Sequence, residues 1–162
     1  MKKLSKRGYQ ILKILHILTA GAWIGAVITA IALLLTLKGE YLARDLEVIL
    51  FIDLALFIPC ALATLLTGLV YSIFTQWGFV KHWWIIVKYL ITLLPIFTGF
   101  PLVASKLLGM TDIVGRLGAG ALADKEFGVL YNECLLGLIV YLVLFLSAYI
   151  LSVIKPANRR KR

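Results

Sequence analysis

Four long apolar stretches dominate this chain of 162 residues. Each exceeds the roughly 20 largely apolar residues that a helix needs to cross a bilayer. Hydrophobic residues make up 62% of the sequence and charged residues 15%, which leaves no stretch for a separate soluble domain. The sequence therefore predicts an all-α, polytopic membrane protein, with a single transmembrane domain folded as an antiparallel four-helix bundle. The predicted helices cover residues 8–37, 46–75, 82–107 and 127–154, and a basic tail, 155–162, follows them.

Charge is distributed unevenly between the two ends of these helices. The first seven residues, Lys81 and the tail carry ten basic residues and no acidic one. The first and third connections hold six of the eight acidic residues. By the positive-inside rule, this pattern predicts a protein of the cytoplasmic (inner) membrane with both termini in the cytoplasm. The net charge of +9 is then an orientation signal, and we do not expect nucleic-acid binding.

Glycine and proline suggest where the helices end or bend. The third connection, residues 108–126, is the longest and rich in glycine, which predicts a mobile outer loop or a short interfacial helix. The second connection is only a tight aromatic turn around residues 76–78. Pro59, Pro95 and Pro101 predict kinks in the second and third helices, because proline removes a backbone N–H and crowds the preceding turn.

The strongest candidate for chemistry is His16, because an ionisable residue inside an apolar helix is costly and invites a functional interpretation. It lies about eight residues into the first helix, or roughly 12 Å. Lys88 lies about six residues into the third helix, or roughly 9 Å, so the two share a level. Lys88 either extends to the cytoplasmic interface or faces the interior and offers a cation to an anionic group. Gly21, Trp23 and Gly25 follow His16, and the two small residues suit either a second helix or a flat macrocycle.

Other ionisable residues lie closer to the outer face. Asp53 and Glu133 are each about seven residues into their helices, and Lys106 is a plausible partner for them. They predict either a structural ion cluster or a proton path or outer substrate site. His82 lies at the membrane boundary beside Trp83 and is predicted to be an interfacial anchor.

The number of histidines limits the cofactors that this chain can hold. Neutral imidazole is a common ligand of haem iron, and a four-helix bundle can hold a porphyrin between facing helices. The chain has two histidines, so it can hold at most one haem with paired histidine ligands. Because His16 and His82 lie at unequal depths, we expect a single b-type haem per chain, bound through His16 on one side, with an open or weakly occupied position on the other. No zinc or copper cluster is predicted.

Two segments carry a family resemblance. The sequence KILHILTAGAWIG, residues 13–25, together with VKHWWIIVKYL, residues 80–90, resembles the CopD and HemJ group of bacterial membrane proteins, and also a related small integral membrane family without an assigned function. In HemJ-type proteins a histidine of the first helix and a lysine of the third are associated with haem b and with protoporphyrinogen oxidation. The resemblance implies these roles for His16 and Lys88.

Three functions follow as hypotheses. The first is a haem b protein that acts in electron transfer or in the oxidation of a small membrane-soluble reductant, such as a quinol or a porphyrinogen. In this hypothesis His16 is the metal ligand and Lys88 is the catalytic residue. The residues at the cofactor are His16, Lys88, Gly21, Trp23 and Gly25. The second is a non-catalytic module that assists a transporter or an assembly partner. The third is an ion or proton carrier that uses the outer acidic residues. Because four helices expose much surface to lipid, a homodimer is also possible.

Overall fold

The computed structural model describes residues 4–74 and 82–154, and all regular structure in these ranges is helical. This confirms the predicted all-α class. The helices are α1 (Lys6–Leu35), α2 (Leu42–Ile52), α3 (Ile58–Phe74), α4 (Trp83–Gly99), α5 (Ser105–Leu117) and α6 (Lys125–Ile154). A π-helical segment, Asp53–Phe57, joins α2 to α3, and a second, Phe100–Ala104, joins α4 to α5.

Joined in this way, the elements form four long helices, and each is long and apolar enough to cross a membrane. They cover Lys6–Leu35, Leu42–Phe74, Trp83–Ala123 and Lys125–Ile154. Large apolar side chains cover their outward surface; for example, Phe97 is 75% exposed and Val153 is 74% exposed. Soluble monomers rarely present apolar patches of such extent, so this surface suits contact with lipid.

Two of the three prolines predicted to kink the helices lie at the π-helical segments. Pro59 follows the segment Asp53–Phe57 by two residues, and Pro101 lies within the segment Phe100–Ala104. A proline ring crowds the carbonyl four residues earlier, and the wider π turn relieves that contact. Pro95, in contrast, lies within α4 without such a segment.

The third connection is where the predicted boundaries are wrong. Residues 108–117 continue α5 instead of forming a loop, and the helix ends where Gly118 adopts a φ of 57°. A 3₁₀ segment, Gly118–Ala123, then leads into α6. Gly109 lies inside α5 because it packs against α6: a Cβ there would meet Leu130 Cδ1 at 2.8 Å. The glycines of this region therefore indicate close helix packing as well as a helix end.

The closely packed core lies in one half of the molecule, which we call the core end. It is formed by the second half of α1 together with α2, α5 and α6. The fully buried side chains here include Leu34, Leu42, Leu46, Ile49, Leu107, Met110 and Leu138. In the other half, the first buried residue of α1 is Trp23, so residues 6–22 contribute none. We call this half, with residues 6–22 and Lys88, the cavity end.

Candidate functional site

A cavity of about 420 Å³ lies between α1, α3, α4 and α6 at the cavity end. This volume is in the range of roughly 300–1,000 Å³ that is common for small-molecule sites. Three of the residues predicted from the sequence line it: His16, Trp23 and Lys88. The polar residues that also line it are Tyr9, Lys13, Thr64, Tyr71, Ser72, Tyr89, Thr92, Tyr149 and Ser152.

The imidazole of His16 is held by a threonine of the neighbouring helix. Its Nδ1 lies 2.9 Å from Oγ1 of Thr67. The Thr67 hydroxyl also lies 2.7 Å from the carbonyl of Ala63, and when it donates its proton there, its oxygen accepts from Nδ1–H of His16. In the neutral imidazole, Nε2 then carries the free lone pair. Nε2 is the nitrogen left to bind a metal or to accept a proton.

A second pair of hydroxyls ties α1 to α3 at the same level. Oγ1 of Thr64 donates to Oγ1 of Thr19 at 3.1 Å, and the Thr19 hydroxyl donates to the carbonyl of His16 at 3.2 Å. Thr64 is buried, so its bond forms away from the surface of the protein. Gly68, next to Thr67 on α3, also lies close to the ring: a Cβ added there would lie 3.6 Å from Cε1 of His16. The His16 ring and main chain are therefore both held against α3.

Two cations share the cavity with His16. Lys88 is half-buried, and its Nζ lies 5.9 Å from the centroid of the Trp84 ring. Lys13, one turn before His16 on α1, also lines the cavity. Sequence reasoning placed His16 and Lys88 at one level but did not single out Lys13. The two amines give this end of the cavity a positive charge that suits the anionic group of a ligand.

Trp23 is packed in the wall of the cavity. Its ring is tilted against Phe145, with centroids 4.3 Å apart, and meets the edge of Phe57 at 5.5 Å. The residue is only 3% exposed. Within residues 4–74 and 82–154, its Nε1 is a buried side-chain nitrogen without a hydrogen-bond partner. A buried indole N–H usually finds an acceptor, so this one calls for an explanation.

Gly21 and Gly25 do not line the cavity. A Cβ on either residue would meet nothing within 4 Å in the described part of the chain. The interpretation of this pair as a helix-packing site is therefore wrong within the monomer, and their predicted place at a cofactor stays a prediction. Close packing occurs instead at Gly137, where a Cβ would lie 3.3 Å from the carbonyl oxygen of Leu102.

The three charged residues nearer the core end do not form one cluster. Lys106 Nζ pairs with Glu133 Oε2 at 2.6 Å. The carboxylate of Asp53 makes no hydrogen bond or ion pair with the described residues. It lines a narrow gap of about 10 Å³ with apolar neighbours from α1, α2, α5 and α6. The structure thus contains an ion pair here, and the Asp53 carboxylate is not part of that pair.

His82 lies apart from the cavity as well. Its ring stacks on Trp84, with centroids 5.8 Å apart and planes inclined by 29°. Trp77, in the predicted aromatic turn around residues 76–78, falls outside the described ranges. No group of three or more His, Cys, Asp or Glu residues that could hold a metal ion occurs among residues 4–74 and 82–154. A haem needs only one or two protein ligands, so the absence of such a three-residue group does not bear on the haem hypothesis.

The chain was also compared with known proteins. It matches no protein-family model, no curated protein and no solved structure. The resemblance to the CopD and HemJ group therefore stays a prediction from residues 13–25 and 80–90.

Proposed function

We propose that this protein is inserted in the cytoplasmic membrane as an antiparallel four-helix bundle with both termini in the cytoplasm, and that it binds one haem b in the cavity. Four apolar helices and an apolar outward surface support the insertion. The basic segments support the orientation; Lys6 and Arg7 begin α1 at the cavity end, whereas Lys81 and the tail fall outside the described residues.

The observation that carries the haem proposal is the hydrogen bond between His16 and Thr67. A metal-binding histidine almost always donates its second ring N–H to a nearby acceptor, which fixes the tautomer and the orientation of the ring. Here Nδ1 is engaged at 2.9 Å by the Thr67 hydroxyl, which leaves Nε2 for iron. Lys13 and Lys88 fit the two carboxylates of a haem, and the aromatic wall fits its flat ring.

Haem, when bound, would supply one-electron redox chemistry. The protein would then act in electron transfer or in the oxidation of a small membrane-soluble reductant, a quinol or a porphyrinogen. In this proposal His16 binds the cofactor, and Lys88 orients an anionic group of cofactor or substrate by charge. The CopD and HemJ resemblance of residues 13–25 and 80–90 supports the same assignment.

An absorption spectrum tests the haem proposal. We expect the detergent-purified protein, from cells supplied with haem precursor, to show a Soret band and visible bands that sharpen on reduction with dithionite. His16→Ala should lose most of the haem, whereas His82→Ala should keep it, because His82 lies outside the cavity. Gel filtration must show that both variants fold. A colourless protein that stays colourless with added haemin, or a folded His16→Ala variant with full haem content, would overturn the proposal.

The open face of α1 favours a second candidate, a membrane module that contacts a partner helix or a second copy of this chain. Gly21 and Gly25 have no neighbour within 4 Å on the side of a missing Cβ, and small residues at this spacing allow close helix contact in lipid. Gly21→Leu with Gly25→Leu should abolish such an association in cross-linking experiments and leave haem content unchanged. Cross-linking that is equal in both proteins would remove this candidate.

A further inference from the structure

The four long helices are too long for the hydrocarbon core of a bilayer. They contain 30, 33, 41 and 30 residues. At 1.5 Å per residue their lengths are about 45–60 Å, whereas the hydrocarbon core is about 30 Å thick. To fit inside it, even the shortest helices would have to tilt by about 48°, beyond the range of roughly 0–40° that transmembrane helices show. Part of each helix therefore lies outside the hydrocarbon.

Charged residues mark the two edges of the hydrocarbon region. Lys88 and Lys106 are 18 positions apart along α4 and α5, or about 27 Å. On α6, Glu133 and the last described residue, Ile154, are 21 positions apart, or about 31 Å. Lys106 and Glu133 pair with each other, so they mark one level, the outer edge. Lys88 shares the cavity with Lys13, and the two mark the inner edge.

Between these edges the helices carry no aspartate, glutamate, lysine or arginine. The uncharged segments are 14–30, 54–74, 89–105 and 134–154. Asp53 belongs to the outer edge, because it lines a narrow gap together with Leu107, the residue after Lys106. Charged residues are rare where helices cross hydrocarbon, so four uncharged segments at one depth indicate the part of the protein inside it.

The two short helices beyond the outer edge have the pattern of helices in a water-soluble domain. Each buries one apolar stripe: Leu42, Leu46 and Ile49 on α2, and Leu107, Met110, Ile113 and Val114 on α5. Charged side chains lie on the other sides. Arg44 and Glu47 are exposed on α2, and Asp112 and Arg116 form an exposed ion pair on α5. Such a division is typical of a helix between a core and water, whereas a helix within lipid is apolar all round.

Aromatic side chains separate this outer part from the cavity. Four rings form one layer, with neighbouring centroids 4.3–6.5 Å apart: Trp23, Phe57, Tyr141 and Phe145. None of them is more than 7% exposed. Towards the inner edge, in contrast, the cavity is lined by Tyr9 near the start of α1 and by Ser152 near the end of α6. The cavity is thus closed towards the outer part and extends to the inner ends of the helices.

We propose that the part of the core end beyond the Lys106–Glu133 pair is a helical head that stands in water on the outer side of the membrane, and that the cavity exchanges its ligand from the cytoplasmic side alone. The head consists of α2, α5, the segment Gly118–Ala123 and the adjoining ends of α1 and α6. With 13 residues, α5 is about 20 Å long, whereas a headgroup layer is about 5–8 Å thick. The inference rests on the insertion and orientation in the proposed function, but not on haem.

Labelling of cysteine variants with a membrane-impermeant maleimide tests the head. Val129 and Val140 lie on α6 within the predicted span 127–154 and are 49% and 44% exposed, but only Val129 lies beyond Glu133. The reagent attacks a thiolate, which forms in water and is strongly disfavoured in hydrocarbon. In spheroplasts, whose outer face meets the reagent, we expect Val129→Cys to react on the order of 100-fold faster than Val140→Cys. The unsubstituted protein, with Cys60 and Cys134 in the uncharged segments, gives the background.

The variant Ser152→Cys tests the side from which the cavity is reached. Ser152 lines the cavity, and its hydroxyl bonds only to the carbonyl of Ala148 in its own helix, so the variant should fold. We expect it to react in inside-out vesicles, where the cytoplasmic face meets the reagent, and not in spheroplasts. Val129→Cys should show the opposite preference and serves as the control for the orientation of the vesicles.

Equal rates for Val129→Cys and Val140→Cys would overturn the head. If Val129→Cys does not fold, Val48→Cys on α2, a site that is 39% exposed, replaces it. Reaction of Ser152→Cys from both sides, or from neither, would overturn exchange from the cytoplasmic side. Fast reaction of Val129→Cys in inside-out vesicles alone would refute the orientation in the proposed function, and with it cytoplasmic exchange, but not the head. A colourless protein with the expected labelling would refute the haem proposal alone.

Discussion

Replacement of Thr67 by valine tests whether the hydrogen bond to His16 matters for cofactor binding. Valine has the shape of threonine but no hydroxyl, so Nδ1–H of His16 loses the acceptor that lies 2.9 Å away. Loss of such an outer partner of a metal-binding histidine typically lowers affinity by 10–100-fold. This factor corresponds to roughly 1.4–2.7 kcal/mol, in agreement with about 1–3 kcal/mol for a buried donor left unsatisfied.

The assay is a titration of haem-free protein with haemin, followed at the Soret band. Thr92→Val is the matched control: Thr92 also lines the cavity, but its hydroxyl bonds to the carbonyl of Lys88 and not to His16. Thr67→Ser keeps a hydroxyl and should restore affinity to within a few-fold. Thr67 does not itself line the cavity, so its effect has to pass through His16. Equal affinities of folded Thr67→Val and Thr92→Val would refute the role of this hydrogen bond.

Three further predictions concern stability, each measured by thermal unfolding in detergent. Gly137→Ala should destabilise the protein by about 1–3 kcal/mol, because its Cβ would lie 3.3 Å from a main-chain carbonyl oxygen. In the control Gly25→Ala the new Cβ meets nothing within 4 Å, so this substitution should be neutral or stabilising. Equal effects of the two substitutions would contradict the close packing at Gly137. Lys106→Met should destabilise the protein by more than about 1 kcal/mol, because it leaves the Glu133 carboxylate unpaired in a helix proposed to cross the membrane, and an unchanged melting temperature would contradict this role of the pair. Tyr141→Phe should cost about 1 kcal/mol, since the buried hydroxyl is bonded to a threonine 2.7 Å away, and an unchanged melting temperature would contradict that bond.

The placement of His16 and Lys88 could be predicted from the sequence because depth along a helix follows from counting residues. Both side chains lie a few turns from the start of their helices at the same end of the molecule, and the structure shows both at one cavity. Trp23 shares a face with His16 because residues seven apart on a helix align. The four long helices could also be predicted from the sequence, because each corresponds to a long apolar run.

The hydrogen bonds that hold His16 could not be predicted in the same way. A threonine inside a helix usually bonds to the carbonyl of its own preceding turn, as Thr67 does to Ala63, so its sequence position gives no hint of a second partner. The contact with His16 depends on how α3 is rotated against α1, which is a tertiary property. A weak signal of this contact lies in three threonines: Thr19 follows His16 by three residues, and Thr64 and Thr67 lie on α3. The signal indicates the contact only once α1 and α3 are known to be neighbours.

Glycine misled the sequence interpretation for a related reason. A glycine marks either a chain turn or a close approach, and composition alone does not separate the two. Gly109 contributed to the prediction of a loop but lies inside α5 against Leu130, whereas Gly21 and Gly25 suggested packing but face open space. Which glycine meets a neighbour is decided by the rotation of each helix about its axis, and the near-uniform apolarity of these helices hides that rotation.

The division between a core end and a cavity end explains why one small chain can hold a tight fold and a ligand site together. Side chains such as Leu46, Leu107 and Met110 are completely buried and bring α2, α5 and the second half of α1 together with α6. These contacts provide the close packing on which stability in a membrane depends. The first half of α1 has no buried residue before Trp23, so the position of His16 is set mainly by hydroxyl bonds to α3. Substitutions at His16 and Thr67 should therefore alter binding more than folding, which is why those variants can separate a binding defect from a folding defect.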